Sequence, residues 1–225
     1  MRWDPRPALR RLSRLVTPMT LTQTQIREYD RRATDSAETA TATFGIGCFW
    51  GPDAQFGAMD GVVRTRVGYA GGTKLDPTYH ALGDHTEVVQ VEFDPETVAY
   101  RELLSRVFES HDPRRQAGKT QYQNVVFAGT EAQRAVLDEF LATRGLAADG
   151  IGTRIEQLSR FYPAEDYHQK YKLRSVSSLV DAFEEAGYGD EELRESPIAA
   201  KLNGYAAGHD VGIDEELPAP DRGTV

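Results

Sequence analysis

The sequence predicts an α+β domain, a ferredoxin-like two-layer sandwich with helices packed on a mixed β-sheet. Three observations predict it. The body alternates β-prone and helix-prone runs in the order strand, helix, strand, strand, helix, strand. One strand is explicit: along "EVVQVEFDP" (87–95), Glu87, Val89, Val91 and Phe93 fall on one face and Val88, Gln90 and Glu92 on the other. One helix is equally explicit: in "AYRELLSRVFESH" (99–111), Leu103, Leu104, Val107 and Phe108 share a face.

The elements follow in order. Residues 1–40 are rich in Arg, Thr and Ala without a clear period and read as a disordered extension. Its basic start "MRWDPRPALRRLSRLV" runs into the polar "TPMTLTQTQ", which lacks the apolar region of a secretory signal. "TATFGIG" (41–47) is a short strand ending in glycine, and "PDAQFGAMDG" a short helix with Pro52 in its first turn, where a missing N–H costs nothing. "VVRTRVGYAGG" (62–72) is a strand running into a glycine-rich turn, and "LDPTYHALGDH" is loop. After the explicit strand and helix come a strand "YQNVVFAG" (122–129) and a helix capped by Thr130 and closed by Gly145. "TRIEQLSRF" (153–161) reads as one further strand, and "AEDYHQKYKLR" and "VSSLVDAFEEAG" as closing helices. The acid- and proline-containing end from Val211 reads as a disordered tail, which leaves 41–210 as one domain.

The totals exclude several functions. A net charge of −9 argues against a nucleic-acid partner, because little would neutralise phosphates. No apolar run approaches the roughly 18 residues of a membrane span, so no membrane partner is expected. A single cysteine, Cys48, excludes an internal disulfide, CxxC redox pairs and cysteine zinc sites, and a cytoplasmic location is the simplest expectation. The five histidines show no metal spacing and no HExxH occurs, so neither metal nor cofactor is expected.

The chemistry concentrates at "ATFGIGCFWGPDAQFGAM" (42–59). A lone cysteine is commonly a small buried hydrophobe. Here it stands between glycines that allow a sharp turn and close approach of a substrate, at the expected mouth of a helix, where unpaired N–H groups favour an anion. A thiolate is the attacking species, and such a place lowers a thiol pKa from about 8.5. Phe49 and Trp50 cannot both face the core beside a turn, which suggests a small apolar pocket next to the thiol. Glu87 begins the more apolar strand face. If desolvated, its carboxyl is held neutral and can donate a proton. Thiol and protonated carboxyl together suit attack on a polar S=O or C=O group. Tyr79 in "DPTYH" and Tyr122 in "KTQYQN" are phenols able to hydrogen-bond an oxygen gaining negative charge. His85 or His168 as a base for Cys48 would instead make a cysteine hydrolase, and spacing alone does not exclude it.

"GCFWG" (47–51) resembles the signature of the A-type peptide methionine sulfoxide reductases, and six companions follow in that family's order: "GYAGG", "DPTYH", "HTEVVQVEFDP", "ELLSRVFESHDP", "TQYQN" and "FYPAEDYHQKY". The likeness covers about residues 42–174, and "SPIAAKLNGYAAG" (196–208) looks like the tail of one branch of the family. The resemblance implies an α+β fold and reduction of the S epimer of methionine sulfoxide, free or within oxidised proteins. It implies Cys48 as nucleophile, Glu87 as proton donor to the sulfoxide oxygen, Tyr79 and Tyr122 as hydrogen-bond donors to that oxygen, and Phe49 and Trp50 packed on the substrate methyl.

Two departures from the pattern carry consequences. The family's aspartate before "TQY" is missing from the short link "RRQAGK" (114–119), which offers Lys119 instead, either as a solvated loop residue or as a cation near the thiol. That gap keeps open an inactive methionine-binding domain. No later cysteine follows to resolve a sulfenic acid, so a small thiol or a thioredoxin-like protein is expected to be the reductant.

Overall fold

The computed structural model describes residues 21–35, 38–146 and 150–212. Among them six strands, β1 (Ala40–Gly45), β2 (Val62–Ala70), β3 (Thr86–Phe93), β4 (Val125–Ala128), β5 (Arg154–Gln157) and β6 (Phe161–Pro163), form one sheet ordered β5-β4-β1-β3-β2-β6. The helices are α1 (Gln23–Asp35), α2 (Trp50–Gly57), α3 (Tyr100–Glu109), α4 (Glu131–Thr143), α5 (Tyr171–Arg174), α6 (Ser177–Glu185), α7 (Asp190–Glu195) and α8 (Pro197–Ala206). The central β4-β1-β3-β2 strands are antiparallel, with α2 linking β1 to β2 and α3 linking β3 to β4, which is the ferredoxin-like order. β5 joins β4 in parallel after α4, and β6 joins β2 antiparallel, so the sheet is mixed.

The alternation along β3 sets the layers. Val89, Val91 and Phe93 enter one cluster with Leu103, Leu104, Val107 and Phe108 of α3 and with Leu137 and Phe140 of α4. Each such side chain removed from water contributes roughly 1.5–3 kcal/mol. Val88 on the other face is buried with Val125 and Phe127. α4 begins as expected, with the Thr130 hydroxyl accepting the Gln133 N–H at 3.1 Å, and closes at Gly145 with φ 63°.

Three expectations are corrected. The run 153–161 is two strands, not one: β5 pairs with β4 at one edge and β6 with β2 at the opposite edge. Leu158 and Phe161 pack on the Val88–Val125–Phe127 cluster, so the chain crosses that face of the sheet between the two edges. "AEDYHQKYKLR" is not one helix but a 3₁₀ turn (Asp166–His168) and the four-residue α5, separated by Lys170 in a left-handed conformation (φ 54°).

The expected disordered extension is in part α1. Its apolar residues are few, Ile26, Tyr29 and Ala33, but their spacing makes one stripe. Ile26 and Tyr29 pack with Leu173, Phe183, Ile198 and Leu202. Residues 1–20 and 213–225, on which the rest of the two expected extensions falls, lie outside the described residues.

The segment Pro197–Ala206 is the buried helix α8, capped by Ser196. It crosses α2 at near backbone contact: a Cβ on Gly57 would lie 2.3 Å from the Ala200 carbonyl oxygen, and one on Gly204 would lie 2.8 Å from that of Ala54.

Candidate active site

β1 delivers the chain to Gly45, where a Cβ would meet Val125 Cγ1 at 2.7 Å. Gly47 then adopts φ 78°, a left-handed turn that a side chain disfavours. Cys48 follows, exposed, immediately before Phe49, the N-cap of α2. The helix begins at Trp50, two residues before Pro52. The Trp50 backbone N–H hydrogen-bonds the Cys48 sulfur.

The expectation of a lowered thiol pKa is corrected. Desolvation pushes the Cys48 thiol above its ordinary value and the Glu87 carboxylate adds to this, while the Trp50 N–H and the Lys172 ammonium oppose it. The helix mouth is therefore present but outweighed in the substrate-free site.

Glu87 is 1% exposed, as its strand face predicted. Its Oε2 accepts the Phe49 N–H at 3.2 Å and its Oε1 accepts Gln121 Nε2 at 2.6 Å. Burial raises its pKa against these two bonds and the charge of Lys119. A raised carboxyl beside the nucleophile is what a proton donor requires.

The two tyrosines converge. Tyr122 shares a hydrogen bond with Tyr79, and burial together with the nearby Glu87 and Cys48 pushes its phenol up, keeping it a donor. Glu165 fixes the loop that carries Tyr79: its Oε1 accepts the Tyr79 backbone N–H at 2.9 Å and its Oε2 the Tyr69 hydroxyl at 2.7 Å. Tyr122 lies on a 3₁₀ turn (Thr120–Tyr122). Thr86 Oγ1 donates to the Thr120 carbonyl at 2.9 Å, and Arg154 spans Thr86 and Gln123 at 3.0 Å each.

The aromatic residues divide. Phe49 is 1% exposed and packs under the site against Tyr69 and His168. Trp50 is half-buried and stacks on Tyr171, with ring centroids 3.7 Å apart and planes 5° from parallel. Tyr171 keeps 38% of its surface exposed, so this pair is the open apolar wall.

Neither histidine serves the thiol. His85 Nδ1 accepts the Gly72 N–H at 3.2 Å and its Nε2 pairs with the Lys74 carbonyl at 2.7 Å. His168 is buried among the rings of Phe49, Trp50, Tyr79 and Tyr167, with no hydrogen-bond partner on either nitrogen and its pKa lowered by burial. A thiol–imidazole dyad of the hydrolase type is not formed. Among the described residues no group of three or more His, Cys, Asp or Glu is placed to hold a metal ion, and no helix is long and apolar enough to cross a membrane.

Lys119 is exposed, with its ammonium 5.0 Å from the centre of the Tyr122 ring, and its charge bears on Glu87. The cation that bears on Cys48 is Lys172. Lys172, Tyr171, Gln121 and Glu165 are the residues that sequence reasoning missed. Glu165 and Tyr171 stand in "FYPAEDYHQKY", but they lie 117 and 123 positions from Cys48 and no periodicity links the two segments.

Comparison with known proteins agrees with this geometry. Residues 40–192 match the family described as peptide methionine sulfoxide reductase. Peptide methionine sulfoxide reductase A5 of Oryza sativa subsp. japonica is 41% identical over 182 residues, 78% of this chain and 71% of that protein. Peptide methionine sulfoxide reductase of Drosophila melanogaster is 41% identical over 183 residues, 80% of this chain and 72% of that one. The solved structure of methionine sulfoxide reductase A of Corynebacterium diphtheriae is 34% identical with a TM-score of 0.52, covering 63% of this chain and 77% of that one.

Proposed function

The chain belongs to the peptide methionine sulfoxide reductase family and reduces methionine sulfoxide, and from that premise we propose that it does so through Cys48, with Glu87 as the proton donor. The carrying observation is the buried Glu87 carboxyl, raised by desolvation and hydrogen-bonded to the N–H of the residue next to the thiol.

The substrate oxygen enters toward Glu87 and the paired hydroxyls of Tyr79 and Tyr122, and its methyl lies against Trp50 with Phe49 beneath. Glu87 protonates the oxygen, which makes the sulfur electrophilic. The Cys48 thiolate attacks that sulfur, the sulfur–oxygen bond breaks, and oxygen passes to the cysteine sulfur. One thiol and one sulfoxide give one sulfenic acid and one thioether, so the cysteine is oxidised by two electrons and the substrate reduced by two. The S epimer is the one that the resemblance to the family implies, and a handed arrangement of donors and aromatic wall is suited to accepting one epimer only. With Cys48 the only cysteine, an external thiol condenses with the sulfenic acid, releasing water, and a second thiol frees Cys48 as thiol. A small thiol or a thioredoxin-like protein fills that role, and free or protein-bound methionine sulfoxide is the substrate.

The test is intact mass after treatment with methionine S-sulfoxide in the absence of thiols. The expected result is one equivalent of methionine per chain and a gain of one oxygen located at Cys48. Sustained turnover without any reductant, or oxygen gained elsewhere, overturns the scheme.

A further inference from the structure

Asn203 lies on α8, outside the residues 40–192 that match the family, and its side chain is fully buried. It uses both ends of its amide. Nδ2 donates to Asp53 Oδ2 at 3.0 Å, in the early part of α2. Oδ1 accepts the backbone N–H groups of Lys172 and Leu173, at 3.0 Å each. α5 has only four residues and no side-chain cap of its own. The first N–H groups of a helix need acceptors, and Asn203 supplies one from another helix.

Asp53 is equally buried. It accepts the Thr65 hydroxyl at 2.5 Å and faces the Lys170 ammonium at 3.7 Å, while Lys170 also donates to the Thr65 carbonyl. One side chain therefore joins the two helices that carry the site, α2 following Cys48 and containing Trp50, and α5 containing Tyr171 and Lys172. We propose that Asn203 is a positioning residue for sulfoxide reduction: it fixes α5 against α2, so that Tyr171 lies on Trp50 and Lys172 stands by the Cys48 thiol. This rests on the reading of the site given above.

An amide meets both demands from its two ends, a donor toward a carboxylate and an acceptor toward two backbone N–H groups. Asn203→Asp keeps the acceptor but sets a second carboxylate against Asp53, and like charges so close are disfavoured. The exchanged pair Asp53→Asn/Asn203→Asp restores one amide and one carboxylate with no change in net charge. The amide at 53 still accepts from Thr65 and donates across, and the carboxylate at 203 still caps α5, while Lys170 keeps its bond to the Thr65 carbonyl but no longer faces a carboxylate at 53.

The experiment compares wild type, Asn203→Asp and the exchanged pair. It measures KM and kcat with methionine S-sulfoxide and dithiothreitol, and the rate of Cys48 alkylation by iodoacetamide at pH 7, with far-UV circular dichroism as the folding control. Asn203→Asp should raise KM by about fivefold to tenfold, within the range set by losing the Tyr171–Trp50 stack, change kcat by less than about threefold, and slow alkylation. The exchanged pair should recover KM and alkylation to within about threefold. A folded Asn203→Asp with unchanged KM and alkylation overturns the proposal. So does a folded exchanged pair that stays impaired also in a Lys170→Met background, where no ammonium is left facing an amide, and this decides the matter even if the single variant does not fold. Absence of turnover in the wild type would instead remove the functional reading, and the alkylation comparison would still test Asn203.

Discussion

The Glu87 carboxylate accepts the Phe49 backbone N–H at 3.2 Å, which ties the proposed proton donor to the residue beside the proposed nucleophile, Cys48. The two reacting groups are thereby coupled. Burial raises Glu87, and the charge of Glu87 in turn raises Cys48. Thiol with carboxylate and thiolate with carboxylic acid contain the same number of protons, and both forms belong to one coupled pair. A sulfoxide oxygen that accepts from the carboxylic acid favours the second form. In the proposed mechanism substrate binding would therefore generate the attacking thiolate from a thiol that burial raises.

Glu87→Gln should consequently move thiol reactivity and turnover in opposite directions. Removing the nearby negative charge lowers the Cys48 pKa, so alkylation by iodoacetamide at pH 7 should accelerate. Turnover should fall by about 10²–10⁴-fold, the usual worth of a positioned proton donor. Slower alkylation combined with near-normal turnover contradicts the coupling.

The pH dependence of kcat/KM follows from the same pair. The active form carries one proton, so the rate should trace a bell between the two apparent values of the pair. Both Glu87 and Cys48 are raised, so both limbs should lie above those of ordinary carboxylates and thiols. In Glu87→Gln the bell should give way to a single limb that rises with pH as Cys48 ionises. A wild-type profile whose limbs fall at or below the ordinary carboxylate and thiol values rules this out.

The aromatic wall is tested at Tyr171, stacked on Trp50 at 3.7 Å. Such pairs are worth about 0.5–1.5 kcal/mol beyond area burial, equivalent to roughly 2- to 12-fold. Tyr171→Ala should raise KM by about this factor with a smaller effect on kcat, and Tyr171→Phe should stay within about twofold because the ring remains. Steady-state kinetics on free methionine sulfoxide distinguishes these outcomes.

The sequence made the layers legible because β3 and α3 each bury one face, and a buried face leaves a period in the chain. It made Cys48 and Glu87 legible because glycines flank the one and the apolar strand face carries the other. It did not show the contacts made by α5 and α8. Asn203, Lys172 and Tyr171 act across segments with no common period, and the polar identity of Asn203 signals burial only once Asp53 is known to face it. α1 was hidden because polar and charged residues fill the rest of its turns. The break at 158–160 was hidden because Leu158 and Phe161 suit a strand as well as the crossing they make.

Close packing of α2 on α8 predicts a sharp difference between two glycines of one helix. A Cβ on Gly57 would lie 2.3 Å from the Ala200 carbonyl oxygen, which is backbone and cannot swing aside. Gly57→Ala should destabilise by about 1–3 kcal/mol or more, as overpacking does. Gly51→Ala, where a Cβ would meet nothing within 4 Å beyond its own helix backbone and chain neighbours, should leave the urea midpoint nearly unchanged or raised. Equal midpoints for the two variants would contradict the packing.

Lys201 gives the last prediction. It is 5% exposed on α8 and donates to the Met59 carbonyl near the end of α2. Desolvation brings its ammonium down to about 8 from the ordinary 10.5, with Asp60 opposing the fall. The folded value is thus below the unfolded one. Its contribution is complete above the unfolded value and is lost as pH falls through about 8, where the charged form must be buried. The cost to the folded state at neutral pH is about 3 kcal/mol. Lys201→Met removes that cost but leaves the Met59 carbonyl without its donor, a loss of about 1–3 kcal/mol. The variant should therefore be more stable than wild type by about 1 kcal/mol near pH 6.5 and less stable by about the same amount near pH 10, where the wild-type amine is neutral. Urea unfolding at the two pH values measures this. A stability difference with the same sign and size at both would show that the amine is not held near 8.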